Sequence, residues 1–327
     1  MAELAYLQVS RVCNQSCVFC SNPANGRTIE WSEAVRLVDS FAAERAAGVI
    51  LTGGEPTLFE DLAKLVAYCR KKGLVPRMVT NGQKTADLAY LKSLSDAGLE
   101  HLHVSLHSHR AEVQSAISQN PDSLPNITRT LENAGELGVR VDINTVINSK
   151  NAGHLSLLVR WLTERFPFIV HVVWNNLDPL MNRAALNPEI VPKLRAFEVE
   201  LHLAMRHLHA GGRTFRVERV PLCYMSDFPH RSTETRKFVK EEGRHIYFLD
   251  EKGLRVQGKA SWTYGKSERC AACGLDPLCA GLYQLGVYYA ADELCPVFTD
   301  PAKVVAAVLK DGDVQSLPGP RKAGGAP

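Results

Sequence analysis

The sequence predicts an α/β chain: a parallel sheet of six strand–helix units followed by a small C-terminal cysteine-rich extension. Three observations predict it. Short runs rich in Val, Ile and Leu alternate with longer helical patterns up to about residue 175. Gly, Pro or Asn bounds most of those runs. Five of the nine cysteines fall in the last third of the 327 residues.

The runs at 3–10, 48–53, 75–81, 101–108, 139–148 and 168–175 read as strands. Helical stretches separate them, several ending in a glycine placed for a left-handed C-cap. Strand–helix units in series argue for a parallel sheet with helical crossovers. An open doubly wound sheet and a partial barrel both satisfy the pattern, and both gather ligands at the carboxyl ends of the strands. Residues 187–210 read as one long helix that closes the core, with a domain boundary near residue 212. The tail, 316–327, rich in Gly and Pro and without apolar anchors, is expected to be disordered.

Apolar residues make up 45% and charged residues 22%, an ordinary globular composition. A net charge of +3 gives no case for a nucleic-acid or membrane partner. No signal-peptide pattern opens the chain, and no apolar run approaches the roughly 20 residues of a membrane span. The expected location is therefore cytoplasmic, where thiols stay reduced. Nine cysteines there, an odd number, point to metal or redox work rather than to a disulfide framework.

Directly after the first strand, "RVCNQSCVFCSNP" places Cys13, Cys17 and Cys20 in the spacing C-x3-C-x2-C. Thiolates in this number suit an iron–sulfur cluster with one iron left open. A zinc loop that borrows Cys69 or a histidine, or three unrelated thiols, are the alternatives. The next strand ends in "LTGGEPTLFE", with Gly53, Gly54, Glu55 and Pro56 at its carboxyl end. Two glycines admit a ligand close to the backbone, and the carboxylate accepts hydrogen bonds from an ammonium group.

With these two motifs the sequence resembles the radical S-adenosylmethionine (radical SAM) superfamily. The resemblance covers roughly residues 4–210 and favours a partial (β/α)6 TIM-like barrel over the open sheet. It implies a [4Fe–4S] cluster on Cys13, Cys17 and Cys20, its fourth iron chelated by S-adenosyl-L-methionine. It further implies contact of the Gly53–Pro56 segment with the methionyl ammonium, and of Phe19 with the adenine. The implied chemistry is reductive cleavage to methionine and a 5′-deoxyadenosyl radical, which abstracts hydrogen from a substrate.

Later strand ends add candidates. "VTNG" (79–82) is a turn or a ligand segment. In "HLHVSLHSH", Leu102, Val104 and Leu106 share one face, and His101, His103, Ser105, His107 and His109 the other. Alternate residues of a strand stand about 7 Å apart, too far for all four histidines to meet one ion. By the resemblance Ser105 faces the ribose or carboxylate of S-adenosylmethionine, and Asn144 the ribose. His107 and His109 are the acid–base candidates nearest the reaction site, with polar lumen filler as the plainer alternative. Trp174, Asn175 and Asn176 contact a ligand or cap the barrel.

Cys270, Cys273 and Cys279 form C-x2-C-x5-C, with Cys295 beyond and Cys223 before. A zinc ribbon fits that spacing. After a radical SAM barrel it resembles a SPASM or twitch extension, which implies one auxiliary [4Fe–4S] cluster. The full SPASM pattern continues with a further cysteine where this chain has Tyr283, so ligands for a second auxiliary cluster are missing. The fourth ligand is Cys223 or Cys295; Cys69 reads as an ordinary helix residue.

The expected layout is 1–211 as the barrel, 212–315 as the SPASM/twitch-like region and 316–327 as the tail. The expected activity is that of a radical SAM enzyme on a peptide or small-molecule substrate, served by a reductant such as flavodoxin or ferredoxin. The auxiliary cluster would carry electrons or bind substrate. A strand beginning by residue 4 leaves no place for a preceding peptide-recognition domain, and no cobalamin domain is expected. The alternatives are a non-catalytic iron–sulfur scaffold or electron carrier on the same fold, and a structural zinc protein.

Overall fold

The structure is a computed structural model and describes residues 4–22, 25–180, 182–241, 245–249 and 264–311. β1 (Leu4–Ser10), β2 (Gly48–Gly53), β3 (Val75–Thr80), β4 (His101–Ser105), β5 (Arg140–Ile147), β6 (His171–Asn176), β7 (Thr214–Glu218) and β8 (His245–Tyr247) form one sheet. Their order is β7-β6-β5-β4-β3-β2-β1-β8, and every pairing is parallel. The sheet curls into a half-barrel with the crossover helices on its convex face. β7 and β8 lie past residue 211, so the sheet itself runs beyond the boundary expected from the sequence.

The crossovers are α1 (Trp31–Ala43), α2 (Leu62–Lys71), α3 (Leu88–Asp96), the pair α4 (Ala111–Ser118) and α5 (Ser123–Leu137), and α6 (Leu155–Arg165). α1 shows why they dock: Ala34, Leu37, Val38 and Phe41, spaced i, i+3, i+4 and i+7, are its buried residues. Against such stripes the sheet presents Leu7, Leu51, Met78, Leu102, Val104, Ile143 and Trp174, all fully buried. Truncating one of these leucines to Ala costs about 2–5 kcal/mol. The alternating residues Arg77, His103, Ser105, Asn144 and Asn175 are half-buried and line the concave lumen.

The helix expected over 187–210 starts late. α7 (Asn182–Leu186) and a 3-10 turn at Pro188–Ile190 precede α8 (Leu194–Ala210). Pro192 explains the break, because the residue before a proline is pushed to extended geometry, and Val191 has ψ 117°.

Beyond β7 lie α9 (Thr233–Lys240), the antiparallel pair β9 (Tyr264–Gly265) and β10 (Leu282–Tyr283), and α10 (Pro301–Lys310). Asp311, at the end of α10, pairs with Arg216 of β7 at 2.9 Å and with Arg231 at 2.9 Å, which ties the extension to the sheet edge. Among the described residues no helix is long and apolar enough to cross a membrane. The expected disordered tail, 316–327, lies outside the described residues.

Candidate functional site

The three-cysteine loop leaves β1 and is held from three sides. Ser16 and Val18 donate their backbone N–H groups to Ser118 and Ile117 at the end of α4, at 3.2 and 2.9 Å. Gln15 donates to Ser123 Oγ, which Gln114 also reaches. From the opposite side Arg183 N–H of α7 donates to the Cys20 carbonyl at 3.1 Å, and Asn187 Nδ2 to that of Val18 at 3.1 Å. Arg11 bonds Asn22 and the Leu249 carbonyl. The brace from α7 was not read from the sequence; a five-residue helix leaves no periodicity to find.

Cys13 is exposed, and Cys17 and Cys20 are half-buried. Burial pushes the Cys17 thiol up to about 12, and the charges of Cys20 and Cys13 push the same way, as sulfurs converging on one site do. Asn81 Nδ2 reaches across from the end of β3 to Asn14 Oδ1 at 2.7 Å and to Cys13 Sγ at 3.8 Å.

Gly53 and Gly54 are explained by this loop. A Cβ on Gly53 would fall 2.1 Å from the Ser10 carbonyl oxygen, and one on Gly54 2.2 Å from that of Val12. At Gly53 the backbone also has φ 137°. Their proximity lets Gly54 N–H donate to Ser10 O at 2.6 Å and Glu55 N–H to Val12 O at 2.8 Å. Pro56 opens the short 3-10 turn that follows.

Glu55 departs from its expected role. Its carboxylate is buried and accepts from Thr57 N–H, Thr57 Oγ1 and Thr80 Oγ1 on Oε1, and from Asn81 N–H on Oε2 at 2.8 Å. Burial raises its pKa, and these donors oppose the rise. In this geometry the side chain clamps the ends of β2 and β3 together rather than meeting an ammonium group.

On the lumen wall Ser105 pairs in register with Asn144, whose Oδ1 accepts from Asn175 Nδ2 at 2.5 Å. Phe19, on the cysteine loop, meets His107 edge-on at 4.8 Å. His107 does not share the lumen face, because β4 ends at Ser105 and the chain turns. Its Nδ1 accepts from Val146 N–H at 3.2 Å, and burial lowers its pKa to about 4. His109 is half-buried and packs against His154 at 5.7 Å, away from His107. Trp174 is core and packs on Phe215, while Asn176 receives and returns hydrogen bonds with Tyr289.

His101 and His103 also correct the strand-spacing argument. Their rings approach to 4.4 Å because both lean on Asp142, at 2.9 and 3.6 Å. Asp142 also faces Arg140 at 3.6 Å. Burial keeps both imidazoles neutral, and the adjacent cations disfavour a further one.

In the extension, Cys223, Cys270, Cys273, Cys279 and Cys295 all line one pocket, with Lys266 and Asp276 at its side. Backbone N–H groups point at the sulfurs. Val297 donates to Cys273 Sγ and Gly281 to Cys279 Sγ, each at 3.3 Å. Leu222 donates to Cys279, and Cys295 to Cys223. Burial pushes the Cys223 and Cys279 thiols up, Cys223 to about 12, and the donors to these two sulfurs oppose the rise.

Zinc and a cluster differ in the donor separation they need. A tetrahedral zinc with bonds of about 2.3 Å needs its sulfurs about 3.8 Å apart. Among the described residues the one group of three donors within 4.8 Å of one another is His101, His103 and Asp142; neither cysteine set forms such a group. Neither cysteine set therefore presents three sulfurs as close as a single zinc ion requires.

Over 213 residues the chain is 29% identical to the PqqA peptide cyclase of Methylocella silvestris, covering 62% of this chain and 56% of that protein. The Fe-coproporphyrin III synthase of Methanosarcina barkeri is 31% identical over 162 residues, 48% of this chain and 40% of that one. The chain thus spans about half the length of the curated relatives it matches. Native anSMEcpe with bound AdoMet and Cp18Cys peptide superposes with TM-score 0.63, covering 86% of this chain and 89% of that one at 17% identity. Streptococcus suis SuiB bound to S-adenosylmethionine superposes with TM-score 0.60, covering 86% and 72% at 16% identity. At such identities the likeness is one of fold. The Radical SAM superfamily matches residues 7–162, the run from β1 through most of α6, so this stretch of the chain is similar to the radical SAM domain.

Proposed function

We propose that the chain is a radical SAM enzyme acting on a peptide, with small metabolites as the second substrate class, and carrying one auxiliary [4Fe–4S] cluster. The observation that supports it best is the first loop: three thiols on a braced backbone, spread wider than one ion requires, at the carboxyl ends of the strands.

When bound, the cluster and S-adenosylmethionine supply reductive cleavage of the sulfonium C–S bond and a 5′-deoxyadenosyl radical. Everything else falls to this chain. Cys13, Cys17 and Cys20 hold the cluster. The carbonyls of Gly53 and Gly54 receive the methionyl ammonium, while Glu55 fixes their position. Phe19 flanks the adenine, with His107 behind it. Ser105 and Asn144 hydrogen-bond the ribose or carboxylate. The concave wall shields the reacting carbon from bulk water. His107 and His109 are the acid–base candidates.

A peptide substrate is favoured by the relatives named PqqA peptide cyclase and by the solved fold neighbours that hold peptides. The auxiliary cluster rests on Cys270, Cys273 and Cys279 with a fourth thiol from Cys223 or Cys295. Electrons would come from flavodoxin or ferredoxin in the cytoplasm.

The test is low-temperature EPR of the anaerobically reconstituted, dithionite-reduced protein with and without S-adenosylmethionine, beside the Cys13→Ala/Cys17→Ala/Cys20→Ala variant. The reading requires that S-adenosylmethionine shift one signal, and that the variant lose that signal while keeping another. No shift, or a variant without any cluster, would defeat it.

A further inference from the structure

The auxiliary pocket holds one thiol too many. A cubane takes four thiolates, and five cysteines line this pocket. They arrive on three segments: Cys223 follows β7, Cys270, Cys273 and Cys279 occupy two short 3-10 turns and their ends, and Cys295 follows the turn at Ala291–Glu293.

The surplus lies at one corner. The Cys223 and Cys295 side chains are within hydrogen-bonding distance of each other, and the Cys295 backbone N–H also donates to Cys223 Sγ. No third thiol joins them within 4.8 Å. Five thiols for four ligand places leave Cys223 and Cys295, the neighbouring pair, to share one.

That doubling is built into the fold. The Tyr224 hydroxyl, one residue from Cys223, donates to the Glu293 carbonyl at 2.7 Å, two residues before Cys295. Glu293 Oε2 accepts from Leu194 N–H at the start of α8, and Oε1 from Ala290 N–H. Arg195 and Arg269 both donate to the Asp292 carbonyl. The Cys295 turn is thus fastened to the Cys223 segment and to the barrel.

We propose that Cys223 and Cys295 are interchangeable ligands of one iron of the auxiliary cluster, so that this iron is its exchangeable corner. The inference rests on the auxiliary cluster proposed above. The exchange balances without a redox partner. The Fe–S bond to Cys223 breaks, a bond to Cys295 forms, and the Cys295 thiol proton passes to the departing Cys223 thiolate. Cys295 is exposed while Cys223 is half-buried, so the two states expose the iron differently. An iron whose thiolate can step aside to a resident neighbour is the one an incoming thiolate or carboxylate donor would reach.

The test uses the Cys13→Ala/Cys17→Ala/Cys20→Ala parent, which leaves the auxiliary cluster alone. Cys223→Ala, Cys295→Ala and their double variant are compared by iron per chain and by EPR. Cys273→Ala serves as the control for ligand loss, and circular dichroism for folding. Each single variant should keep about four irons per chain, and the double variant should lose that cluster. Loss in either single variant would make that cysteine the sole fourth ligand and overturn the proposal. A double variant that keeps the cluster would overturn it as well. A parent with no cluster would instead remove the auxiliary cluster itself.

Iodoacetamide mapping of the unmutated holoprotein gives a second reading that needs no folded variant. Label should appear at both Cys223 and Cys295 while Cys270, Cys273 and Cys279 stay protected. Label confined to one of the pair overturns the exchange.

Discussion

Replacing Gly54 by Ala isolates the contact that sets the first cluster loop against the sheet. A Cβ at this position falls 2.2 Å from the Val12 oxygen and 2.7 Å from the Val12 carbon, whereas real contacts stay beyond 3.0 Å. The loop must retreat by about 0.8 Å. That retreat strains the Gly54 N–H to Ser10 O bond, now 2.6 Å, and the Glu55 N–H to Val12 O bond, now 2.8 Å. Two bonds at about 1 kcal/mol each set the local cost near 2 kcal/mol. Gly54 tests this more cleanly than Gly53, whose φ of 137° adds backbone strain of its own. The crossover helices and their core are untouched, so the variant should fold. Displacing reacting groups by about 1 Å costs on the order of 100-fold in rate. The assay is 5′-deoxyadenosine formation, with EPR of both clusters as the companion. Cleavage should fall by about 100-fold while the auxiliary signal is unchanged. Wild-type cleavage with a normal S-adenosylmethionine-induced shift would refute the claim that this contact positions the site.

Three further outcomes follow from the same geometry. Glu55→Gln turns one of two acceptor oxygens into a donor opposite N–H or O–H groups. It should cost about 1–3 kcal/mol, read as a lower melting temperature by calorimetry, with the three cysteines still loading iron. Asn81→Ala removes the 2.7 Å bond to Asn14 and the contact with Cys13. The first cluster should then be lost several-fold faster to a chelator, and the auxiliary cluster should not. Burial raises the Cys69 thiol from 9.0 to about 12, so the unfolded chain ionises first. Its contribution is complete below pH 9 and is lost as pH rises toward 12, about 1.4 kcal/mol per unit. Urea unfolding at pH 8 and pH 10 should show Cys69→Ala with the shallower pH dependence; equal slopes would exclude this source.

What the sequence reveals here is whatever is local. Cysteine spacing and strand–helix alternation need no knowledge of partners, and they carry the half-barrel and both thiol sets. Glu55 shows where that ends. Its neighbours identify a ligand segment, but the carboxylate's partners, Thr80 and Asn81, come from the next strand end. His107 fails for a different reason: alternation holds only while the strand lasts, and β4 stops at Ser105. The histidine pair fails because a strand fixes Cβ spacing and not ring position; one acceptor, Asp142, draws both rings together. "VVWNNLDP" was ambiguous because Asn176 and Asp178 meet Tyr289 and Tyr283, more than 100 residues away in sequence.

The two thiol sites differ in what orders them. The first loop takes most of its bonds from α4 and α7 and from the ends of β1 and β3, within residues 10–187, and Arg11 reaches on to the Leu249 carbonyl. Loading a cluster on this loop costs proton release from thiols such as Cys17. The auxiliary site draws thiols from three segments, and side-chain bonds such as Asn176–Tyr289, Asp178–Tyr283 and Glu293–Leu194 seat those segments on the barrel. The barrel thus supplies a rigid first site and, at the carboxyl end of β6, the anchor for a second.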